Sequence, residues 1–248
     1  MYRHQLALKP SPRAFGCVPA TFITSRITTM NYDQIAEAYT KMLLESVKLH
    51  LERDEHGHTV TIHSPDTPTP SASWSDPEAH ALITPGHDVL DNDPRFNEAK
   101  PDWSDKSLHG DFEEPALNNR SGKHLASGVI IHEDDGRVWA VHPTNQFGGY
   151  EATFPKGKVD PGLDMRSNAI KEAWEESGLA VQLTAHAADV ERSTSYTRYY
   201  HARRIGGHPK NMGWESQAVS LVPKSQLHTV VNHPNDAVLV AAAKQKKV

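Results

Sequence analysis

The chain has 248 residues, 37% of them apolar, with 17 prolines and a formal net charge of −5. Those totals fit one generous domain with an irregular appendage, and the negative balance disfavours nucleic acid and anionic membranes as partners. A single cysteine, Cys17, excludes an intrachain disulfide and suits a reducing, cytoplasmic setting, while no apolar run approaches the roughly 20 residues that span a bilayer.

Residues 1–30 carry Arg3, Lys9, Arg13 and Arg26 but no acidic residue. They are expected to be a disordered leader. Their composition resembles an organelle transit segment, and the reading preferred is an over-extended translation start with Met30 as the natural beginning. A helix is expected over residues 32–46, where Ile35, Tyr39, Met42 and Leu43 recur at helical spacing. "SVKLHLER" and "HTVTIHS" alternate around "DEHG" as a β-hairpin would, although Val47 also continues the helical stripe. For residues 31–63 the reading is a helix followed by extended structure. Residues 64–119 are rich in Pro, Ser and Asp and poor in apolar side chains. They are expected to form a linker or a weakly ordered wrap, with Trp74 and Trp103 as anchors.

Order is expected again over 120–248. "LASGVII" and "RVWAVHP" flank the turn "HEDDG", and "YEATFPKG" leads into a helix that Gly178 stops. "LAVQLTAH", "ERSTSYTRYYHARR" and "WESQAVSLVP" read as strands, and "PNDAVLVAAAKQKK" as a closing helix with cations in its last turn. This succession predicts an α+β domain with a mixed sheet between helices. The sixteen histidines are scattered in loop-like surroundings without cysteine-supported zinc spacing, and read as surface residues.

The chemistry concentrates in "FPKGKVDPGLDMRSNAIKEAWEESGL", residues 154–179. On a helix Glu172 faces both Glu175 and Glu176. Three carboxylates there repel unless a cation intervenes, and hard oxygen ligands suit Mg2+ or Mn2+. A solvated helix face is the other reading. The preceding Pro-Lys-Gly-Lys loop, which brings cations and flexible backbone to the same place, favours a metal-bridged polyphosphate site.

This stretch resembles the Nudix box, G-x5-E-x7-R-E-U-x-E-E-x-G-U, with U aliphatic. Gly157, Glu172, Ala173, Glu175, Glu176, Gly178 and Leu179 keep its register over 23 positions. The resemblance covers about residues 120–245 and implies a Nudix-like α/β/α sandwich, with residues before it as an irregular N-terminal extension. It implies hydrolysis of a pyrophosphate linkage in a small-molecule nucleotide: ADP-ribose-like, a dinucleoside polyphosphate or a nucleoside triphosphate. Glu172, Glu175 and Glu176 would be the metal ligands, completed by the Gly157 carbonyl. Lys156 and Lys158 are candidate phosphate contacts. The general base would be a glutamate of the box or Glu215 in "MGWES", which could equally be an ordinary strand-edge residue. Tyr196 is a candidate for base stacking alongside Tyr199, Tyr200 and Trp214. Phe147 and Tyr150 could form the substrate rim, and Arg198, Arg203 and Arg204 could touch phosphates or lie on a solvated face.

Two positions depart from the box. Leu163 stands where it has a glutamate, and Lys171 where it has an arginine, keeping the charge but not the planar fork. Retained activity is the leading reading; a catalytically weak nucleotide sensor is the alternative. A homodimer contact through the helix near residues 32–46 is left open.

Overall fold

The computed structural model describes residues 31–37 and 47–245. The chain divides into two compact units, Met1–Ser46 and Val47–Val248. In the first, residues 32–37 are helical; the leader at 1–30 and the rest of the helix expected over 32–46 lie outside the described residues, and so does any dimer contact made there.

The second unit opens with the hairpin, so alternation prevails over the helical stripe that Val47 continued. β1 (Lys48–Arg53) pairs antiparallel with β2 (Thr59–Ile62). Asp54 closes the turn, its carboxylate accepting the backbone N–H groups of His56 at 2.9 Å and His58 at 2.7 Å. Val60 and Ile62 face inward, as does His50, whereas Leu49 and Leu51 are exposed.

Seven strands form the main sheet: β3 (Ala81–Ile83), β4 (His124–His132), β5 (Val138–Pro143), β6 (Lys156–Lys158), β7 (Leu179–Glu191), β8 (Ser195–Gly207) and β9 (Ser216–Val222). Their order is β3-β9-β5-β4-β8-β7, with β6 beside β4. β4 runs parallel to β8 and the other neighbours are antiparallel, which makes the sheet mixed. Helix α1 (Met165–Ser177) belongs to one apolar cluster with Val129, Ile131, Trp139 and Tyr200; α2 (Ala237–Gln245) belongs to a second with Ile130, Val138, Phe154 and Tyr199. Alternate residues of β4 thus feed opposite cores, the signature of a sheet covered on both faces.

The ends of α1 are written locally. Asp164 accepts the Ser167 N–H at 2.7 Å as N-cap. Its carboxyl is held down at about 2: the cost of its partial desolvation is outweighed by Lys106 and the Ser167 donors. Gly178, at φ 70°, ends the helix in the left-handed conformation and donates its N–H to the Trp174 carbonyl at 2.8 Å.

Residues 64–119 depart from the expectation of weak order. β3 joins the main sheet through β9. Trp74 is fully buried, 5.7 Å from Trp139 and 6.0 Å from Phe96 between ring centroids. The compensation for so few apolar side chains is polar. Arg137, buried, donates to the carbonyls of Ser73, Ala79 and Trp74 at 2.9, 3.2 and 2.6 Å. Arg166 does the same for His109, Gly110 and Phe112 at 3.2, 3.1 and 2.9 Å. Irregular backbone that would otherwise stay in water is satisfied by charged donors of the sheet and helix.

Trp74→Ala in the full chain is expected to lower unfolding free energy by about 3–5 kcal/mol in denaturant titrations; a change within about 0.5 kcal/mol would mean that the segment contributes nothing to the core. A second expectation concerns His142, which accepts or donates to Ser220 Oγ at 2.6 Å through Nε2 and lies 2.9 Å from the Glu151 carbonyl through Nδ1. Burial lowers its pKa to about 4, only partly offset by that carbonyl. The unfolded chain therefore takes up this proton first as pH falls, so stability drops between about pH 6.5 and 4, by on the order of 3 kcal/mol. His142→Gln should flatten that part of the stability profile; identical pH slopes in the two proteins would refute the assignment.

Candidate active site

β6 lies along the first half of β4, with Lys156, Gly157 and Lys158 opposite Gly128, Ser127 and Ala126. The approach is close: a Cβ at Gly128 would come within 2.4 Å of the Pro155 carbonyl oxygen. α1 packs on both strands, and its inward face carries Glu172 and Glu176 one turn apart, each 6% exposed. A Cβ at Gly157 would sit 2.3 Å from a Glu172 carboxylate oxygen, so only glycine leaves room for this side chain. Glu176 accepts the backbone N–H of Lys156 at 3.1 Å.

Burial, reinforced by the charge of Glu176, pushes the Glu172 pKa far above the usual carboxylate range; burial does the same to Glu176 against the pull of Lys156. Asn168, one turn before Glu172 and fully buried, fixes the loop beneath them. Its amide nitrogen donates to Ser127 Oγ at 3.1 Å and to the Gly157 carbonyl at 3.5 Å, and its oxygen accepts the Asp160 N–H at 3.0 Å.

Glu175 does not join the inward pair. Lys171 pairs with it and, at 3.1 Å, with Asp160, leaving the Glu175 side chain 45% exposed. Lys171 pays for partial burial, yet Glu175 and Asp160 keep its pKa raised. Asp160 thereby supplies a carboxylate partner that Leu163 cannot; Leu163 itself donates its N–H to the Asp160 carbonyl at 3.1 Å. Among the described residues no three His, Cys, Asp or Glu side chains stand where they could hold a metal ion together. The expected trio is two carboxylates inside and one turned to a lysine. Two desolvated carboxylates packed against Gly157 nevertheless fit a hard divalent cation in donor chemistry, and the repulsion between them when ionised is what such an ion would relieve.

Glu215 lies in the turn before β9. The Gly213 N–H donates to the Glu175 carbonyl at 2.7 Å and ties that turn to α1. Glu175 and Glu215 line one cavity of about 340 Å³ with Trp174 and Trp214. Partial desolvation and Glu175 raise the Glu215 pKa against the pull of Lys156 and Lys171.

The remaining candidates fall elsewhere. Lys158 is exposed on β6, and Phe147 is 81% exposed in the loop after β5. Tyr150 stacks on His233 with ring centroids 4.0 Å apart, while its hydroxyl accepts from Arg192 at 2.6 Å. Arg198 grips Asp189 with two bonds of 2.7 Å and reaches Glu114 and the Pro115 carbonyl at 2.8 Å; Tyr196 leans on the same Asp189 at 3.4 Å. Those two side chains belong to an ionic cluster that fastens the N-terminal extension to the sheet. Arg204 pairs with Glu133 at 2.6 Å, and Arg203 donates to Gln182 at 2.9 Å. The sequence reading passed over Asn168, although its spacing of four from Glu172 puts it on the same helix face. It also passed over Asp160 and Trp174.

A mixed sheet between helices, with a glycine strand pressed against a glutamate-bearing helix, defines a Nudix-type fold. Residues 122–242 match the family model of the NUDIX domain, so that part of the chain is a NUDIX domain. It is 33% identical over 92 residues to a Caulobacter vibrioides protein named RNA pyrophosphohydrolase, a match covering 36% of this chain and 50% of that one. It is 37% identical over 60 residues to a Rhodococcus erythropolis protein named an uncharacterized Nudix hydrolase, covering 23% and 32%. The chain thus spans about half the length, or less, of these curated relatives. Among solved structures, an ADP-ribose pyrophosphatase from Streptococcus suis superposes with a TM-score of 0.40 at 17% identity, over 51% of this chain and 95% of that one.

Gly157→Ala should displace the Glu172 carboxylate and weaken Mn2+ binding about tenfold or more in calorimetric titration, with the circular dichroism of the fold kept. An unchanged isotherm would show that Glu172 does not face the ion.

Proposed function

We propose that this domain hydrolyses the pyrophosphate linkage of a small nucleoside diphosphate derivative. The observation that carries the reading is the burial of Glu172 and Glu176 together against Gly157 and the Lys156 backbone, on the helix whose Trp174 and Glu175 line a cavity with Glu215. Glu172, Glu176 and the Gly157 carbonyl would hold Mg2+ or Mn2+, with Glu175 able to add a carboxylate on leaving Lys171. When bound, the ion supplies charge neutralisation at the bridging and non-bridging oxygens of the pyrophosphate. Lys156, which acts electrostatically on both Glu176 and Glu215, would meet a phosphate oxygen, and Lys158 would offer a second ammonium from the same strand.

Glu215 takes the proton of the attacking water. The water oxygen bonds to one phosphorus, the bridging P–O bond breaks, and the electron pair leaves with the second phosphate. Asn168 keeps the loop under the carboxylates fixed, and the Lys171–Asp160 pair holds the position that an arginine and a glutamate would share. The Caulobacter relative's name supports pyrophosphate chemistry, and the net charge of −5 favours small nucleotides over RNA. In this reading the protein works in the cytoplasm; among the described residues no helix is long and apolar enough to cross a membrane.

Full-length protein with Mg2+ or Mn2+ is expected to hydrolyse at least one class in a panel of ADP-ribose-like sugars, dinucleoside polyphosphates and nucleoside triphosphates. EDTA should abolish turnover, and Glu176→Gln should slow it by about 10³-fold. Wild type and Glu176→Gln equally inactive on the whole panel, with nucleotide still bound, would leave the sensor reading in its place.

A further inference from the structure

The cavity beside Glu175 is not built by the NUDIX domain alone. Two of its lining residues, Glu52 and Lys100, come from the segment before residue 122. Glu52, the penultimate residue of β1, overhangs the Gly213 turn, its carboxylate 3.5 Å from where a Cβ on Gly213 would stand. Among the described residues that carboxylate makes no ion pair. Lys100 lies over Trp103, its ammonium 4.7 Å from the ring centroid, and makes no ion pair there either. The same cavity is lined by two half-buried indoles, Trp174 from α1 and Trp214 from the turn.

The other carboxylates have occupations: Glu175 pairs with Lys171, and Glu215 is the proposed base. Glu52 and Lys100 are therefore left to meet a part of the ligand that is neither phosphate nor water. The indoles offer stacking surface to a base. The polar pair then selects among bases. An ionised carboxylate can only accept hydrogen bonds. Guanine alone presents two adjacent donors, N1–H and N2–H2, that one carboxylate takes side by side. Adenine and cytosine set one donor next to a lone pair, and uracil flanks its single N–H with two carbonyls, so each would turn a lone pair toward Glu52. An ammonium complements the O6 and N7 acceptors of guanine.

We propose that this pocket receives a guanine base, with Trp174 and Trp214 stacking, Glu52 accepting from its donor edge and Lys100 donating to its acceptor edge. The substrate class becomes guanosine diphosphate derivatives, and the N-terminal extension becomes the specificity element of the NUDIX domain. The assignment rests on the pyrophosphohydrolase reading for its place beside the glutamates, but its test does not need turnover.

Full-length protein is titrated with GMP, AMP, CMP and UMP without divalent ions, following tryptophan fluorescence. None of these probes contains a pyrophosphate. GMP should quench the fluorescence and bind at least about tenfold more tightly than AMP, CMP or UMP. Glu52→Gln, at an exposed position whose carboxylate makes no ion pair among the described residues, should fold normally and bring GMP to the level of AMP. Trp214→Ala should weaken GMP about tenfold or more, and Trp214→Phe should restore most of the loss. Equal affinity for all four nucleotides, a GMP preference that survives Glu52→Gln, or no saturable quenching by GMP would each overturn the proposal. GMP binding with no hydrolysis of any guanosine substrate would instead sink the pyrophosphohydrolase reading alone.

Discussion

Two carboxylates one helical turn apart and shut away from water set the terms for what surrounds them. When both are ionised, Glu172 and Glu176 repel each other where solvent screens little, a far harsher situation than an exposed pair on a helix, which costs only a few tenths of a kcal/mol; their raised pKa values reflect this. The structure holds them there by rigidity. α1 is capped at both ends by Asp164 and Gly178. β6 is pressed onto β4 through Gly128, and Asn168 pins the loop between strand and helix. With its ends fixed, the helix cannot rotate to carry the carboxylates into water. Burial holds both carboxyls well above the usual carboxylate range, the mark of acidic groups kept where neither water nor a cationic partner fully relieves them.

A second constraint is the need to satisfy an irregular extension. Residues 64–119 carry too few apolar side chains to order themselves by burial, yet they cover one core. Arginines resolve this. Arg137, Arg166 and Arg198 reach from sheet and helix to carbonyl oxygens of the extension, and Arg198 with Arg166 also takes the Glu114 carboxylate. One guanidinium can satisfy several carbonyls that no regular ladder would reach, and each bond is charge-assisted. Trp74 then adds the apolar anchor.

These two constraints explain what was legible in the sequence. The glutamate helix, its caps and the strand before it depend on residues within 25 positions of one another, so spacing revealed them. The hairpin around "HEDDG" and the strands of the sheet were visible for the same reason. The order of residues 64–119 was not, because an arginine that bonds carbonyls some sixty positions away leaves no local pattern. Arg198 and Tyr196 were read toward the substrate because alternation on a strand tells which residues share a face but not what covers that face. Here Asp189 and Glu114 cover it. Glu175 was read with its neighbours because helical spacing groups it with Glu172; only the placement of Lys171 and Asp160 separates them.

The Arg137 contacts also separate ancestry from cohesion. The family match begins at residue 122, but the sheet does not end there. A chain cut at that point would lose β3 and leave β9 with a row of open backbone groups at the sheet margin. It would also strand a guanidinium, 1% exposed, without the Ser73, Trp74 and Ala79 carbonyls it serves. An uncovered strand edge beside a guanidinium that has lost three of its acceptors invites pairing between molecules. The segment outside the homologous region is thus the stopper that keeps this sheet from growing into its neighbour.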